Sequence, residues 1–289
     1  MSKNIAKRKK RKHGSLMSRL LSMLIPYAIA AIAVVWIGLP IMYAVLWSLV
    51  NPEYPWSYPD VFPQHVGFYQ WERVFKYTNI LSAVKNSVII ALVVTLLCIV
   101  IAFPTAYAIG RRPVKGKGVY KIVMLIPLIF PGMALAMFLG RFFNMVGLSQ
   151  KFAGVILAHT LVCLPYQLRI LTSSFEGMSQ DLIDAADNLG AGNRTKIFEL
   201  YIPTVMPGIT AGAIFTFIES MQEFNLAYII GTPTIETVPT ILFAFMGNNF
   251  QRTAASVVTL ILLVPNMIML LLTDKFIKTE HLGAALGKM

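Results

Sequence analysis

Long apolar stretches dominate this sequence and restrict its fold more than any other feature. They lie near residues 20–49, 81–110, 121–141, 152–172, 205–230 and 254–273. A helix needs roughly 20 residues to cross about 30 Å of hydrocarbon, and each stretch reaches that length. Because unpaired backbone groups are not tolerated in lipid, we predict an all-α polytopic bundle of six transmembrane helices.

The composition excludes an ordinary soluble domain. The chain of 289 residues is 56% hydrophobic and 13% charged, with a mean hydropathy of +0.67. Soluble domains carry about 25% charged residues, so this chain lacks the polar surface that water requires. Its net charge of +12 is concentrated in short flanks, with eight of the 25 Lys and Arg in residues 1–19. That distribution favours a membrane flank and predicts no nucleic-acid partner.

The Lys and Arg bias also predicts the orientation of the chain. The N-terminal tail, the 111–121 loop and the C-terminal tail are basic, whereas the loops of opposite parity are poor in Lys and Arg. Cytoplasmic loops carry this excess, so both termini should face the cytoplasm. We divide the chain into a basic tail (1–19), a first transmembrane helix (20–49), an extracytoplasmic loop (50–80), a core domain of five helices (81–273) that contains a cytoplasmic loop (173–203), and a second tail (274–289).

The 50–80 loop is rich in proline and aromatic residues. Its four prolines forbid a continuous helix, because proline cannot donate a backbone hydrogen bond. The aromatic residues suit an interfacial belt. Contact with a substrate is the other interpretation.

Nothing in the sequence predicts an enzyme site, a metal site or a cofactor. The 110–118 stretch, GRRPVKGKG, resembles a phosphate-binding loop but has the wrong spacing, and Gly118 replaces the required hydroxyl residue. Cys98 and Cys163 lie in apolar runs without metal-ligand spacing. His159 lies inside an apolar segment, where both packing and a role in transport are compatible with its position.

Kinks and close helix packing are predicted within the apolar segments. Proline inside a helix bends or breaks it, and the second, third and fourth segments contain Pro104, Pro127, Pro131 and Pro165. Gly208 and Gly212 form a GxxxG pattern at the start of the fifth segment, which permits tight packing within the chain or against a partner.

Residues 184–203 form the most distinctive polar segment, DAADNLGAGNRTKIFELYIP. Ser179 is a candidate cap for a helix from about Gln180 to Leu189, and Gly190 suits a left-handed helix end. A second helix over 194–201 should follow and end at Pro203. The result is a helical elbow on the cytoplasmic face, with an ordinary amphipathic connector as the alternative.

This segment resembles the EAA loop of permease subunits in binding-protein-dependent ABC importers. The family pattern is Glu-Ala-Ala, three residues, Gly, nine residues, Ile, one residue, Leu-Pro. The chain keeps every spacing with the matching residues Asp184, Ala185, Ala186, Gly190, Leu200, Ile202 and Pro203. Asp for Glu, Leu for Ile and Ile for Leu are conservative departures.

The resemblance implies a type I ABC importer (MetI-like) permease fold in a bacterial inner membrane. The matching residues would form a coupling helix that docks on a separate ATPase, so the chain itself would be a transport subunit and no enzyme. The implied partners are two ATPase subunits, a second permease, an extracytoplasmic binding protein and membrane lipid. The sequence of the motif most resembles the polyamine, opine, phosphonate and ferric-iron branch of the family. A sugar or glycerophosphate importer is the alternative.

Polar residues in the fifth segment are the candidate substrate pathway. Glu219, Gln222 and Glu223 have the i, i+3, i+4 spacing of one helical face, and Asn225 lies nearby. Glu219 should lie about 16 Å below the start of the segment, near the midplane, where a charge needs a cavity or a partner. The alternative is helix packing or an ion pair with Arg141 or Arg169.

Two further classes of protein remain compatible with the sequence. A self-sufficient secondary transporter or channel would use Glu219 and Glu223 as ion or proton sites and need no ATPase. A membrane scaffold or insertase would not respond to any solute.

Overall fold

The computed structural model describes the backbone at residues 16–57, 59–247 and 250–286, and side chains at 24–57, 59–247 and 250–272. Most of the predicted basic tail (residues 1–15) and the last part of the second tail (287–289) lie outside the described residues. Within those ranges the chain is helical, apart from loops and one isolated antiparallel bridge between Val50 and Val66. The prediction of an all-α fold is therefore confirmed.

Twelve α-helices and two π-helical turns make up the described fold. The α-helices are α1 (Leu16–Ser48), α2 (Tyr69–Tyr77), α3 (Ile80–Arg111), α4 (Lys117–Val123), α5 (Ile126–Ile129), α6 (Gly132–Met145), α7 (Phe152–Glu176), α8 (Gln180–Asn188), α9 (Asn193–Thr195), α10 (Ile202–Gln222), α11 (Val238–Gly247) and α12 (Arg252–Leu286). The π-helical turns are Lys196–Tyr201 and Ala227–Gly231.

Five helical stretches in the described part of the chain are long and apolar enough to cross a membrane. They are Leu24–Ser48, Ile80–Arg111, Phe152–Glu176, Asn193–Gln222 and Arg252–Leu272. Each of the five overlaps one of the six predicted segments, and the segment near 121–141 has no counterpart among them. The predicted count of six is therefore supported only approximately.

The segment near 121–141 is the exception, because it is divided into separate helices where the sequence predicts one kinked span. Two prolines divide it into the short helices α4, α5 and α6. Pro127 lies in the first turn of α5, and Pro131 caps α6 after the extended residue Phe130. A residue before proline is pushed out of the helical region, which explains the break at Phe130. By contrast, Pro104 and Pro165 stay inside α3 and α7.

The core of the bundle is formed by α3, α7 and α10, which pack against one another. The two glycines of the GxxxG pattern face α7. A Cβ atom at Gly208 would collide with the Ser174 side chain, and one at Gly212 would collide with the Gln167 side chain. The pattern therefore serves packing within the chain, because only glycine lets the two backbones approach so closely.

The first helix and the 50–80 loop lie at one side of this core. Helix α1 packs on α12, and Val74 of α2 is buried in a cluster that includes residues of α12. In the loop, the Trp56 ring lies 5.8 Å from the Tyr43 ring and 4.8 Å from the Trp47 ring, measured between centroids. The aromatic residues thus fasten the loop to the end of α1.

Candidate functional site

The 173–203 segment forms the elbow that the sequence predicts. The Ser179 hydroxyl accepts a hydrogen bond from the Asp181 N–H at 3.2 Å, which caps the start of α8. Helix α8 ends at Asn188, and Gly190 follows in the left-handed region with φ of +73°. A Cβ atom at Gly190 would meet no heavy atom within 4 Å, so the preference for glycine comes from the backbone conformation.

Helix α8 has an inner and an outer face. Ile183 packs against a buried cluster that includes Phe175 and Tyr201, and Ala186 is half-buried beside it. The outer face comprises Asp181, Leu182, Asp184, Ala185, Asn188 and Leu189, all exposed. Leu189 is 88% exposed, more than any other described large apolar side chain.

Polar contacts connect α8 to the core helices. The Arg111 guanidinium, at the end of α3, donates hydrogen bonds to the Met178 carbonyl at 3.0 Å and to Gln180 Oε1 at 2.7 Å. Gln180 Nε2 in turn donates to Asp184 Oδ1 at 2.8 Å. The orientation of the Asp184 carboxylate is therefore linked to α3 through a chain of two hydrogen bonds.

The second half of the elbow differs from the prediction that Pro203 ends a separate helix. The chain is helical from Asn193 to Gln222 without interruption, and Pro203 lies in the first turn of α10. The π-helical turn before it explains how. The Ile202 N–H bonds to the Ile197 carbonyl, five residues back, and this wider turn accommodates the proline ring, which would clash in a regular α-helix.

The matched motif residues divide into two groups. Asp184, Ala185 and Gly190 are exposed on the outer face. Leu200 and Ile202 are half-buried, and Leu200 packs against the cluster below the elbow. Ala186 is also half-buried, whereas Pro203 is exposed at the entry of α10. The structure thus places only part of the motif where a partner could touch it.

Sequence reasoning missed the apolar part of the exposed surface. Leu189, Ile197 and Phe198 are 88%, 38% and 62% exposed on the elbow, and none of them was predicted as a contact. The available signal was large apolar residues within a polar segment. We call Leu182, Leu189, Ile197 and Phe198 the apolar elbow patch.

The fifth predicted segment, 205–230, is broken in its last third. Helix α10 ends at Gln222, Glu223 is extended with φ of −67° and ψ of +116°, and helical structure resumes at Asn225. Glu219, Gln222 and Glu223 therefore do not share one face of a continuous helix, and that prediction is wrong. The reason is local, because Glu223 Oε2 accepts the Leu226 N–H at 2.8 Å and the Ala227 N–H at 3.2 Å.

Glu223 is thus a cap for the second half of the segment. A carboxylate at a helix start accepts hydrogen bonds from backbone N–H groups that otherwise lack a partner, and its negative charge interacts favourably with the helix dipole. His159 of α7 lies next to it, 1% exposed, with Nδ1 3.0 Å from the Ser220 hydroxyl and Nε2 3.6 Å from Glu223 Oε2. We call His159, Ser220 and Glu223 the capping cluster.

The other predicted pathway residues lie in three different surroundings. Glu219 is half-buried, and neither Arg141 nor Arg169 forms an ion pair with it among the described residues. Gln222 is exposed and lines an apolar groove of about 640 Å³ between α10, α11 and α12. Asn225 lies against Gly132, because a Cβ atom added to Gly132 would be 2.7 Å from Asn225 Nδ2.

Comparison with known sequences places most of the chain in one family. Residues 99–279 match the family described as binding-protein-dependent transport system inner membrane component. The spermidine/putrescine transport system permease protein PotC of Haemophilus influenzae is 25% identical over 194 residues, which cover 67% of this chain and 76% of that protein. The trehalose/maltose transport system permease protein MalG of Thermococcus litoralis is 31% identical over 205 residues, 70% of this chain and 74% of that one.

Solved structures show the same fold. A bacterial ABC transporter involved in the import of the acidic polysaccharide alginate has a chain that aligns with a TM-score of 0.71 at 16% identity, covering 91% of this chain and 98% of that one. The MetNI methionine ABC transporter in an inward-facing conformation aligns with a TM-score of 0.57 at 17% identity, over 70% and 95% of the two chains. The family match spans more than half of the sequence and the fold agrees with it, so this chain belongs to the binding-protein-dependent inner-membrane permeases, the non-enzymatic transport subunits of type I ABC importers.

Proposed function

We propose that this permease forms half of a translocation pore and is driven through its elbow by a separate ATPase. The observation that carries the proposal is the exposed outer face of α8 with the apolar elbow patch, above all Leu189. Several large apolar side chains exposed within one short polar segment mark a surface that a protein partner can cover, and Leu189 is 88% exposed. Asp184, Ala185 and Gly190 border the same face.

The connections of the elbow suit it to transmit motion. Helix α8 is capped at both ends and fastened to α3 by Arg111, while Ile183 packs it onto the core. The helical path from Asn193 leads directly into α10 and then to the broken segment. A displacement of the elbow would therefore reach the middle of the bundle through a continuous helix.

The complete transporter would contain two ATPase subunits, a second permease and an extracytoplasmic binding protein. The resemblance of the 184–203 segment to the EAA loop supports the first of these partners. With the basic flanks on the cytoplasmic side, both termini and the elbow would face the ATPases in a bacterial inner membrane.

The transported solute would be small and polar, of the polyamine, phosphonate, opine or ferric-iron class. Among these, a polyamine cation is supported by the PotC relative and by Glu219, a half-buried carboxylate that has no hydrogen bond or ion pair among the described residues. A sugar or glycerophosphate is the alternative, and the MalG relative supports a sugar.

Purification of the tagged full chain from native membranes in mild detergent tests the coupling proposal. We expect an ATPase subunit and a second permease to accompany the wild-type chain, and Leu189→Glu to lose the ATPase selectively. Val61→Glu is a matched control, because Val61 is 71% exposed in the 50–80 loop, away from the elbow. Retention of the ATPase by Leu189→Glu would contradict the assigned docking face.

Uptake in cells that carry the complete transporter tests the solute class. Labelled spermidine and labelled trehalose would be offered at equal concentration, each with the other as unlabelled competitor. ATP-dependent uptake of spermidine alone supports the polyamine assignment, whereas uptake of trehalose alone selects the sugar alternative.

A further inference from the structure

A cavity of about 410 Å³ lies between α3, α4 and α7, on the side of the bundle that carries the elbow. Ile109 contributes one wall, close to the end of α3. Lys121 of α4 and Arg169 of α7 line the cavity, and Met124 and Leu125, both half-buried, make part of it apolar. The cavity is separate from the capping cluster and from the outer face of α8.

The charges around this cavity do not cancel. Lys121 Nζ lies 2.8 Å from Glu176 Oε1, so these two groups form an ion pair. Arg169 is exposed and makes no hydrogen bond or ion pair with any residue that the structure describes. One guanidinium with its full set of donors is therefore presented to the cavity, next to the hydroxyls of Thr172 and Ser173.

Arg169 lies near the end of α7 that leads into the elbow, which the predicted topology places close to the cytoplasmic headgroups. Arg111 bonds to the Met178 carbonyl and marks where the core helices meet the elbow. Arg169 precedes Glu176, the last residue of α7, by about two helical turns, or roughly 10 Å. A long side chain at that depth extends towards the interface to keep its charge near polar groups.

We propose that this cavity binds an anionic phospholipid, with the headgroup phosphate on Arg169 and an acyl chain along Met124 and Leu125. Guanidinium groups match phosphate oxygens with two parallel hydrogen bonds. Basic pockets between transmembrane helices on the cytoplasmic side suit anionic headgroups, and the basic 111–121 loop adjoins this one. The site goes beyond the proposed function and shares with it only the orientation of the chain.

Native mass spectrometry of the purified full chain, titrated with phosphatidylglycerol or phosphatidylcholine in detergent, tests the site. We expect one phosphatidylglycerol to bind more tightly than phosphatidylcholine. Arg169→Gln should weaken phosphatidylglycerol binding about fivefold, the factor for one cation near an anionic headgroup. Arg169→Lys keeps the charge but not the two parallel hydrogen bonds, so it should bind phosphatidylglycerol more tightly than Arg169→Gln and less tightly than the wild-type chain.

Lys115→Gln is the matched control, because Lys115 is exposed in the same basic loop but does not line the cavity. Equal weakening by Lys115→Gln and Arg169→Gln would overturn the site in favour of a general charge effect. Competition by millimolar inorganic phosphate would also overturn it, since a soluble anion would then be the ligand. The measurement involves no transport, so its failure would leave the coupling proposal untouched.

Discussion

The elbow and the capping cluster both use carboxylates at helix turns, yet they use them in opposite ways. Asp184 is exposed, and its carboxylate accepts a hydrogen bond from Gln180, a side chain one turn away. Glu223 has a side chain only 10% exposed, and it accepts two backbone N–H groups of the segment that follows. The first carboxylate is presented outward, whereas the second holds the chain together.

The difference follows from what surrounds each group. At the elbow, water satisfies any backbone group that the fold leaves unpaired, so side chains are available for a partner. Inside the bundle no water replaces a missing acceptor, and a broken helix survives only where side chains pair the freed backbone groups. The Glu223 carboxylate is therefore explained by the backbone groups that it pairs, before any contact with a solute.

Glu223→Leu should have the largest effect of any substitution in these two regions. The change leaves the Leu226 and Ala227 N–H groups without their acceptor, at a cost of roughly 1–3 kcal/mol each. That loss is a large share of a typical stability of 5–15 kcal/mol. We expect little folded protein in the membrane fraction and a lowered midpoint of thermal unfolding in detergent.

Two variants make this test specific. Glu223→Gln keeps an acceptor oxygen and should recover most of the folded protein. Gln222→Leu changes the neighbouring residue, which lines an apolar groove, and should leave thermal unfolding unchanged. Equal folding of Glu223→Leu and wild type would show that the cap is dispensable and that Glu223 does not differ from Asp184 in the way described.

Asp184→Lys should abolish uptake while leaving the bundle folded. Charge reversal at an exposed residue costs little stability, but it would oppose a partner that recognises a carboxylate. We expect loss of ATP-dependent uptake and of the co-purified ATPase, with an unchanged midpoint of thermal unfolding. Asp60→Lys in the 50–80 loop is a control of equal charge change at another exposed position.

Gly190→Trp tests the same surface by bulk. The φ of +73° makes any L-residue other than glycine strained, by about 1–2 kcal/mol. Gly190→Ala carries the same kind of backbone strain with little bulk, so comparison of the two variants separates strain from obstruction. Full uptake by Gly190→Trp would refute the docking assignment at this turn.

Glu219→Leu should have a smaller effect, confined to transport. The Glu219 carboxylate has no hydrogen bond or ion pair among the described residues, so its loss leaves no buried partner behind. If the carboxylate meets a cationic solute, uptake should fall about tenfold, the equivalent of one charge-assisted hydrogen bond. The readout is the initial rate of spermidine uptake at equal amounts of membrane protein; a normal rate would assign Glu219 to the structure.

The elbow was largely predictable because its signals are local. Ser179 and Gly190 specify helix ends through backbone geometry within a few residues, and the structure has them where the sequence predicts. The exception is Pro203, which the sequence assigns to a helix end. A widened turn that accommodates proline depends on the helix on both sides, so composition alone could not reveal it.

The broken fifth segment was not predictable from spacing. The i, i+3, i+4 pattern of Glu219, Gln222 and Glu223 assumes a continuous helix, and the pattern is unchanged when one of its members ends that helix. The break depends on the Glu223 side chain, which accepts the Leu226 and Ala227 N–H groups, and the spacing pattern carries no sign of that role. The prediction for the third segment is wrong for a different reason. Pro127 and Pro131 are visible in the sequence, but they were expected to bend the helix and instead divide it.

Lys196→Gln should have the smallest effect and gives the sharpest contrast with Glu223. Lys196 Nζ lies 2.5 Å from Asp187 Oδ1, joining the two halves of the elbow, but the Asp187 side chain is 51% exposed. Exposed ion pairs contribute about 0.2–1 kcal/mol and are screened by salt. We expect slightly faster hydrogen exchange of the 184–203 amides at low ionic strength and near-normal uptake, with the difference in exchange shrinking as salt is added. A salt-screened contact of this kind should be individually dispensable. A loss of uptake as severe as that of Asp184→Lys would therefore mean that the elbow, like the segment that Glu223 caps, depends on one specific bond.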